Sequence, residues 1–393
     1  MENRISTLAA MIAVLGGLIV AYMNCANPPP AGVVKGSQVT PLAACGDQPF
    51  TVPPVDLGKV KSVVPLGSYD PNRQIFPSPR LKFSLVEDAG KPVTANLVSP
   101  GEIRVTSLVR VQNLSTNPVE TEFEVVFQPC QDLEGVFARV QSLRAELMNL
   151  AGDFDSGTCV EATTGGQNFR RCSKALVAEF SANATMGVVG GRSQASFFEL
   201  GLRDARAPDL VFAKPERIDR FASRFDDFHT VCPLNYFVTG LRGEMELKLG
   251  NLAGTETRTL DPLCGTSAQD VPGKAMGRWY KPATPLLPQD PHLHLGVDPI
   301  HPDRGAFTFG ESVPGLSGVL SYTVSTDLSS RRNLSTNQIS SDGQVYCFDA
   351  FSGGGTVLLQ MASAEELRIQ KGPNGNCGSA PYAFSGTPVS FVR

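Results

Sequence analysis

The chain has 393 residues, with 34 Lys and Arg set against 38 Asp and Glu for a formal net charge of −4. That near balance, with no basic cluster, argues against nucleic acid as a partner and against a polybasic membrane patch. Roughly 370 residues remain beyond an N-terminal leader, more than one core usually organises, so two domains are expected.

The leader is the apolar run Ile5 to Met23, which follows a short n-region (Met1 to Arg4), is broken by Gly16 and Gly17, and ends at Cys25 before Pro28 to Pro30. Residues 1–25 therefore read as an export signal. In the first of three readings Cys25 is acylated, as in a bacterial lipoprotein, and residues 26–60 form a tether and N-terminal extension. Tyr22, Met23 and Asn24 depart from the Leu-(Ala/Ser)-(Gly/Ala) that usually precedes a lipid-bearing cysteine. The second reading is ordinary secretion after Ala21, and the third is an uncleaved anchor, since about 19 apolar residues suffice to cross a bilayer. All three place the folded part outside the cytosol, either membrane-bound at the outer membrane or facing the periplasm, or secreted.

Period-two alternation then dominates. Ile103, Val105, Ser107, Val109 and Val111 are expected on one face of a strand, with Arg104, Thr106 and Arg110 on the other. The chain turns at Asn113 to Pro118. A return strand is expected to bury Val119, Thr121, Phe123, Val125 and Phe127 and to expose Glu120, Glu122 and Glu124, completing an antiparallel hairpin. Leu133, Val136, Phe137, Val140, Leu143 and Leu147 follow three-and-four spacing after Asp132, which predicts one capped helix packed on that hairpin. Phe180 to Leu202 reads as strand, glycine-rich turn, strand. A second hairpin is expected over Glu244 to Leu260, where Met245, Leu247 and Leu249 alternate with Glu246 and Lys248 and Asn251 to Gly254 supplies the turn. Gln344 to Ala350, Thr356 to Gln360 and Val389 to Val392 read as strands of a C-terminal β unit. The fold class is mainly β.

Nine cysteines divide into Cys25 and eight others, Cys45, Cys130, Cys159, Cys172, Cys232, Cys264, Cys347 and Cys377, none in a C-x-x-C pair. An even number in an exported chain points to structural disulfides and gives no support to a metal ribbon or thioredoxin-like chemistry. Eight cysteines allow 105 pairings, and the sequence does not choose among them; pairing by nearness would join Cys159 with Cys172, Cys232 with Cys264 and Cys347 with Cys377, and would leave Cys45 for Cys130.

A series of landmarks carries a resemblance. They run from Val64-Pro-Leu-Gly67 with Pro71 and Pro77, through Val93-Thr-Ala95, Pro100-Gly101, Cys130 and Phe137, to Met186-Gly-Val-Val-Gly-Gly191. Phe197 to Leu202 with Asp204, Val231 to Phe237, Cys264-Gly265, Asp270 to Gly273, Gly277-Arg-Trp279 and Val345 to Phe348 follow. In order and spacing the chain resembles secreted bacterial proteins whose first half is built like the lysostaphin-type zinc endopeptidases that cut peptidoglycan bridges. The resemblance implies a peptidase-like antiparallel β domain over residues 61–230 with one packed helix, followed by a disulfide-bonded β domain over 231–393. Working members of that family bind zinc through His-x-x-x-Asp and a late His-x-His and use a further histidine. The matching positions here are Arg80 and Ser84 for the first motif, Arg139 for the further histidine, and Phe197 and Glu199 for His-x-His. A catalytic zinc needs N or O ligands and an open position for water, which guanidinium and phenyl groups do not supply. The resemblance therefore implies a pseudoenzyme with no catalytic residue and no cofactor, whose partner is peptidoglycan or an envelope protein.

A rival signal is His292-Leu-His294-Leu-Gly-Val-Asp298-Pro-Ile-His301-Pro-Asp303, which holds three of the four histidines in the chain. On a strand His292 and His294 share a face, and with Asp298 or His301 they offer a zinc site for a metal-dependent hydrolase. The plainer reading is a strand and loop whose histidines are hydrogen-bonded or exposed. Isolated His229, the short Gly187 to Gly191 run, Asp226-Asp227 and Trp279-Tyr280 give no support to a nucleophile with its base, a dinucleotide fingerprint, a glycosidase pair or a sugar platform. Asn113, Asn183 and Asn333 match the glycosylation pattern. The expected function is non-enzymatic binding in the cell envelope, with the hydrolase and a structural or adhesive surface protein as alternatives.

Overall fold

The computed structural model of the protein describes residues 41–70, 74–191, 197–218, 227–285, 288–349, 355–373 and 375–393. The leader, Cys25, Pro71, Asp226 and Ala350 lie outside the described residues. The chain is mainly β, with 43% strand against 10% helix. Among the described residues no helix is long and apolar enough to cross a membrane.

The first unit is built from β1 (Val60–Val64), β2 (Leu81–Leu85), β3 (Glu87–Asp88), β4 (Lys91–Pro92), β5 (Thr94–Val98), β6 (Ile103–Asn113), β7 (Glu120–Cys130), β8 (Leu133–Leu143), α1 (Ala145–Ala151), β9 (Thr158–Thr164), β10 (Gln167–Phe180), β11 (Thr185–Gly190), β12 (Phe197–Asp204) and β13 (Thr230–Val231). Its sheet runs β1-β2-β12-β8-β7-β6-β10-β9, with β11 joining β5 to β8 and β13 on the edge of β12. One face carries the core, where Leu81, Phe83, Phe127, Phe137, Phe198 and Leu200 pack together. That core also takes in Phe50 and Val55 from upstream, and Leu234, Phe237, Met245 and Leu249 from downstream. Phe50 and Val55 of the N-terminal extension thus belong to this core, and the core continues past residue 230 to residues near the Cys232–Cys264 disulfide.

The second unit is two four-stranded antiparallel sheets. One is β14 (Gly277–Trp279), β15 (Leu293–Val297), β16 (Arg304–Phe309) and β17 (Gly318–Thr323), and the other is β18 (Tyr346–Asp349), β19 (Thr356–Ser363), β20 (Glu366–Lys371) and β21 (Val389–Val392). Trp279, Phe307 and Tyr322 of the first meet Phe348, Ile369 and Phe391 of the second in one core. Trp279 and Tyr280 are both buried, which removes them as a sugar platform. All four expected disulfides form: Cys45–Cys130, Cys159–Cys172, Cys232–Cys264 and Cys347–Cys377.

Three local expectations are corrected. The β6–β7 hairpin is present, but its register shifts between Val105 and Ser107. One extra residue in β6 moves every later side chain to the other face. Ile103, Val105 and Leu108 therefore enter the core, while Val109 and Val111 lie opposite Glu124 and Glu122 on the outer face. Val119 is 46% exposed, and Glu124 is buried rather than solvated.

The helix expected from Leu133 to Leu147 is instead strand β8, with only the short α1 after it. Its three-and-four spacing comes from a bulge. Val125 faces Phe137 and Phe123 faces Val140, so β8 spends three residues where β7 spends two, and both Phe137 and Val140 stay in the core. Val136 is buried too, but against Val126 on the other face. Asp132 caps no helix; its carbonyl accepts from Ala205 N–H. Gly135 of β8 lies under the Phe127 ring, where an added Cβ would stand 2.2 Å from the ring tip. Gly135→Ala is expected to cost about 1–3 kcal/mol by overpacking, read as a lowered melting temperature.

The hairpin expected over Glu244 to Leu260 is replaced by helix α2 (Thr239–Glu246) and a loop. Met245 and Leu249, four residues apart, turn inward while Leu247 is 84% exposed. The expected turn survives: Gly254 N–H donates to Asn251 carbonyl, and Asn251 Oδ1 accepts from Thr255 N–H.

Candidate binding cleft

The outer face of the first sheet forms the floor of a cleft of about 810 Å³ whose opposite wall comes from the second unit. Strand alternation sets the floor. Leu81, Phe83 and Leu85 of β2 and Phe198 and Leu200 of β12 point into the core, so Lys82, Ser84, Phe197 and Glu199 point outward. Ser84 stands opposite Phe197 in the register, and Lys82 opposite Glu199. Val64, Lys82, Arg139 and Phe197 line the floor, with Gln167 from the start of β10, Asn251 and Glu256 from the loop after α2, and Asp298 and Ile300 from the second unit.

Arg139 is the bulged residue of β8 and has φ 62, a left-handed conformation that costs a non-glycine residue roughly 1–3 kcal/mol. The bulge carries its side chain to the outer face, where the guanidinium carbon lies 4.1 Å from the centroid of the Phe197 ring. Lys82 Nζ lies 5.3 Å from the same centroid. Both contacts place a cation against a π face. The carboxylate nearest Arg139, Glu122, is at 3.8 Å, outside hydrogen-bond range.

Beside this group lies a buried ionic cluster. Arg80 donates to Glu124 and Glu199, each at 3.3 Å, and Arg171 donates to Glu124 at 2.6 Å. Burial opposes ionisation of Glu124, but Arg171 and Arg80 outweigh it and hold its carboxyl at about 2. The two glutamates hold Arg80 charged against the opposing effect of burial. Ser84 is also committed, its hydroxyl donating to Leu252 carbonyl at 2.8 Å. The five positions singled out by the resemblance, Arg80, Ser84, Arg139, Phe197 and Glu199, thus sit together on one face. Arg139 and Phe197 line the cleft, whereas Arg80, Glu199 and Ser84 are engaged with neighbours.

The histidine segment does not converge. His292 Nδ1 accepts from Lys281 N–H at 3.2 Å, Nε2 donates to Pro285 carbonyl at 3.1 Å, and the ring stacks on Phe76. With both nitrogens engaged it has no lone pair to offer a metal. His294 is fully buried against Tyr69, with ring centroids 5.6 Å apart. Burial, and then Arg278 and Arg393, push its pKa well below the ordinary value and keep it neutral. Asp298 accepts from Ile300 and His301 N–H and from the Ser321 hydroxyl. His301 faces Glu256 at 3.8 Å. The four proposed ligands therefore serve the contact between the units and a turn, and their ligand atoms are not grouped.

Among the described residues two trios do bring ligand atoms within 4.8 Å: Asp155 with Cys159 and Cys172, and Cys347 with Asp349 and Cys377. Each contains a disulfide, and disulfide sulfurs are not thiolate ligands. Lys82, Gln167, Asn251 and Glu256 were not foreseen as cleft residues. The available signal was a lysine at the outward position of the strand Leu81-Lys-Phe-Ser-Leu85. No protein-family profile matches the chain, and no curated protein and no solved structure matches it either.

Proposed function

We propose that this chain is an exported, non-catalytic binding protein of the cell envelope, held at the membrane by a lipid on Cys25 and working through the cleft between its two units. The supporting observation is the chemistry of the cleft floor. It offers a guanidinium, an ammonium and a phenyl ring at Arg139, Lys82 and Phe197. Among the described residues no histidine or cysteine lines it, so a nucleophile with a neighbouring imidazole base and a histidine zinc set both lack their parts. The positions that the lysostaphin-type resemblance equates with zinc ligands and a catalytic histidine lie on this same face, which favours a peptidase-like domain turned to binding. Peptidoglycan or an envelope protein is the partner this reading favours, by fold-level analogy.

Co-sedimentation of the mature protein with purified sacculi, and capture from solubilised envelope, test the reading. Retention without any release of soluble wall fragments is expected, and no retention on either material counts against it. Protein purified without chelator or His tag is expected to carry no stoichiometric zinc by elemental mass spectrometry. One zinc per chain would overturn the non-catalytic reading. Palmitate labelling that is lost in Cys25→Ser is expected of the lipid anchor.

A further inference from the structure

We infer that the cleft binds an organic anion, its oxyanion held by Arg139 and Lys82 beside the Phe197 ring and its apolar part lying against Val64 and Ile300. The inference rests on the cleft being the binding site and adds the class of ligand. Three observations carry it.

The first is the backbone at Arg139. A bulge and a left-handed conformation in the middle of a central strand, at φ 62, place this side chain in the cleft. Glycine is the residue that adopts this geometry without strain, and an arginine stands there. Strain held at one residue facing a cavity is a mark of a functional position.

The second is the state of the guanidinium. It lies over the Phe197 ring, its carbon 4.1 Å from the ring centroid. Among the described residues no hydrogen bond to it is formed, and its one ion pair, with Glu122, is long at 3.8 Å. A planar fork of donors in this condition matches a carboxylate or phosphate oxygen pair.

The third is the gathering of positive charge at one place in the cleft. Lys82 and Arg139 approach the same ring, and an anion between two like charges relieves their repulsion. The facing acids are committed: Asp298 to two backbone N–H groups and Ser321, and Glu256 to Asn251 with His301 nearby. Asp70 is the third acidic lining residue, so the cleft as a whole is not cationic, and its two cations are gathered at Phe197. Val64, Leu252, Ile300 and Val319 supply apolar wall, as a ligand with an aliphatic body requires.

The test is ligand-observed and isotope-edited NMR on the full mature chain with hexanoate and hexyl phosphate, using hexanol and hexylamine as neutral and cationic counterparts. Saturable binding of one or both anions with Kd on the order of 1 mM is expected, and the tighter of the two identifies the oxyanion as carboxylate or phosphate. Equal binding of hexanol overturns the inference. Arg139→Gly removes the fork and relieves the backbone together. It is expected to weaken anion binding about tenfold or more while the melting temperature holds or rises. Undiminished anion affinity in this variant overturns the inference. If Arg139→Gly melts early, Lys82→Met decides in its place: weakened hexanoate binding with unchanged hexanol binding supports the site, and unchanged hexanoate binding sinks it. Sacculus retention by the wild-type chain with no anion binding would remove this inference and leave the envelope-binding reading standing. Anion binding lost in Arg139→Gly, with no retention on any envelope material, would do the reverse.

Discussion

Full reduction of the protein is expected to lower its melting temperature by on the order of 10 °C or more, with the largest single contribution from Cys45–Cys130. The four bridges span separations of 85, 13, 32 and 30 residues. On the chain-entropy account the longest loop contributes roughly 4.5 kcal/mol and the shortest roughly 3 kcal/mol. Against a total stability of about 5–15 kcal/mol, the loss of all four leaves little margin. Cys45–Cys130 has a second role, because it ties the segment leading to buried Phe50 onto the end of β7, where Gln131 N–H also donates to Ala43 carbonyl. Cys159–Cys172 joins two residues already paired in the β9–β10 ladder at the far edge of the sheet, and less depends on it. Pairwise replacement by alanine should therefore lower the melting temperature further for Cys45 and Cys130 than for Cys159 and Cys172. Equal shifts would argue against the loop-length account, and an unchanged melting temperature in reductant would mean that the bridges contribute nothing to stability.

Bulges limit what alternation in the sequence records about strand faces. Alternation in residues 103–127 located the β6–β7 hairpin and its turn, because a strand with one face in the core must repeat every two residues. Alternation carries no trace of the extra residue near Thr106, which turns Val109 and Val111 to the outer face. The same device gives β8 a helix-like spacing. There a bulge at Arg139 spaces Phe137 and Val140 by three, and a pair buried on the second face, Val126 and Val136, adds a further apolar position. Three-residue spacing in a strand and in a helix are identical in sequence. At α2 the failure ran the other way, since Gly240 and Gly243 weaken helix propensity and Val238 offers no capping side chain. The disulfides were legible because cysteines near in sequence paired locally and left a single pair. The cleft was not legible as a whole. Lys82, Arg139, Phe197, Asn251 and Asp298 meet only through strand order and the packing of two units, and no local spacing records either.

Acid is expected to unfold the protein in two stages with distinct origins, provided the disulfides stay intact. The upper stage belongs to His294. Its pKa in the fold lies well below 6.5 because the ring is buried and faces Arg278 and Arg393. The unfolded chain takes up a proton near 6.5 that the folded chain refuses, so stability is full above that value and falls as pH drops below it. Because the ring packs on Tyr69, whose hydroxyl donates to Val297 carbonyl, this loss falls on the contact between the two units. The lower stage belongs to Glu124 and Asp204. Arg206 and Tyr236 donate to Asp204 and hold its carboxyl at about 2, against the opposing effect of burial. Glu124 is held at about 2 from an ordinary 4.5 by Arg171 and Arg80. Stability from a depressed carboxylate is complete above its unfolded pKa and disappears as pH falls through the folded one, so for Glu124 the loss spans about 4.5 down to about 2 and amounts to about 3 kcal/mol. Glu124→Gln is expected to cost a similar amount, about 3 kcal/mol, at neutral pH, because it removes one of the two carboxylates that the buried Arg80 guanidinium is paired with among the described residues. In that variant the lower stage should shrink to the share of Asp204. Urea midpoints measured from about pH 8 to about pH 3 separate the stages. His294→Leu should flatten the profile above about pH 5 and leave the lower fall in place. A wild-type profile flat from about pH 7 to about pH 5 would show that His294 is not held neutral in the fold, and with it the electrostatic account of the contact between the units would go.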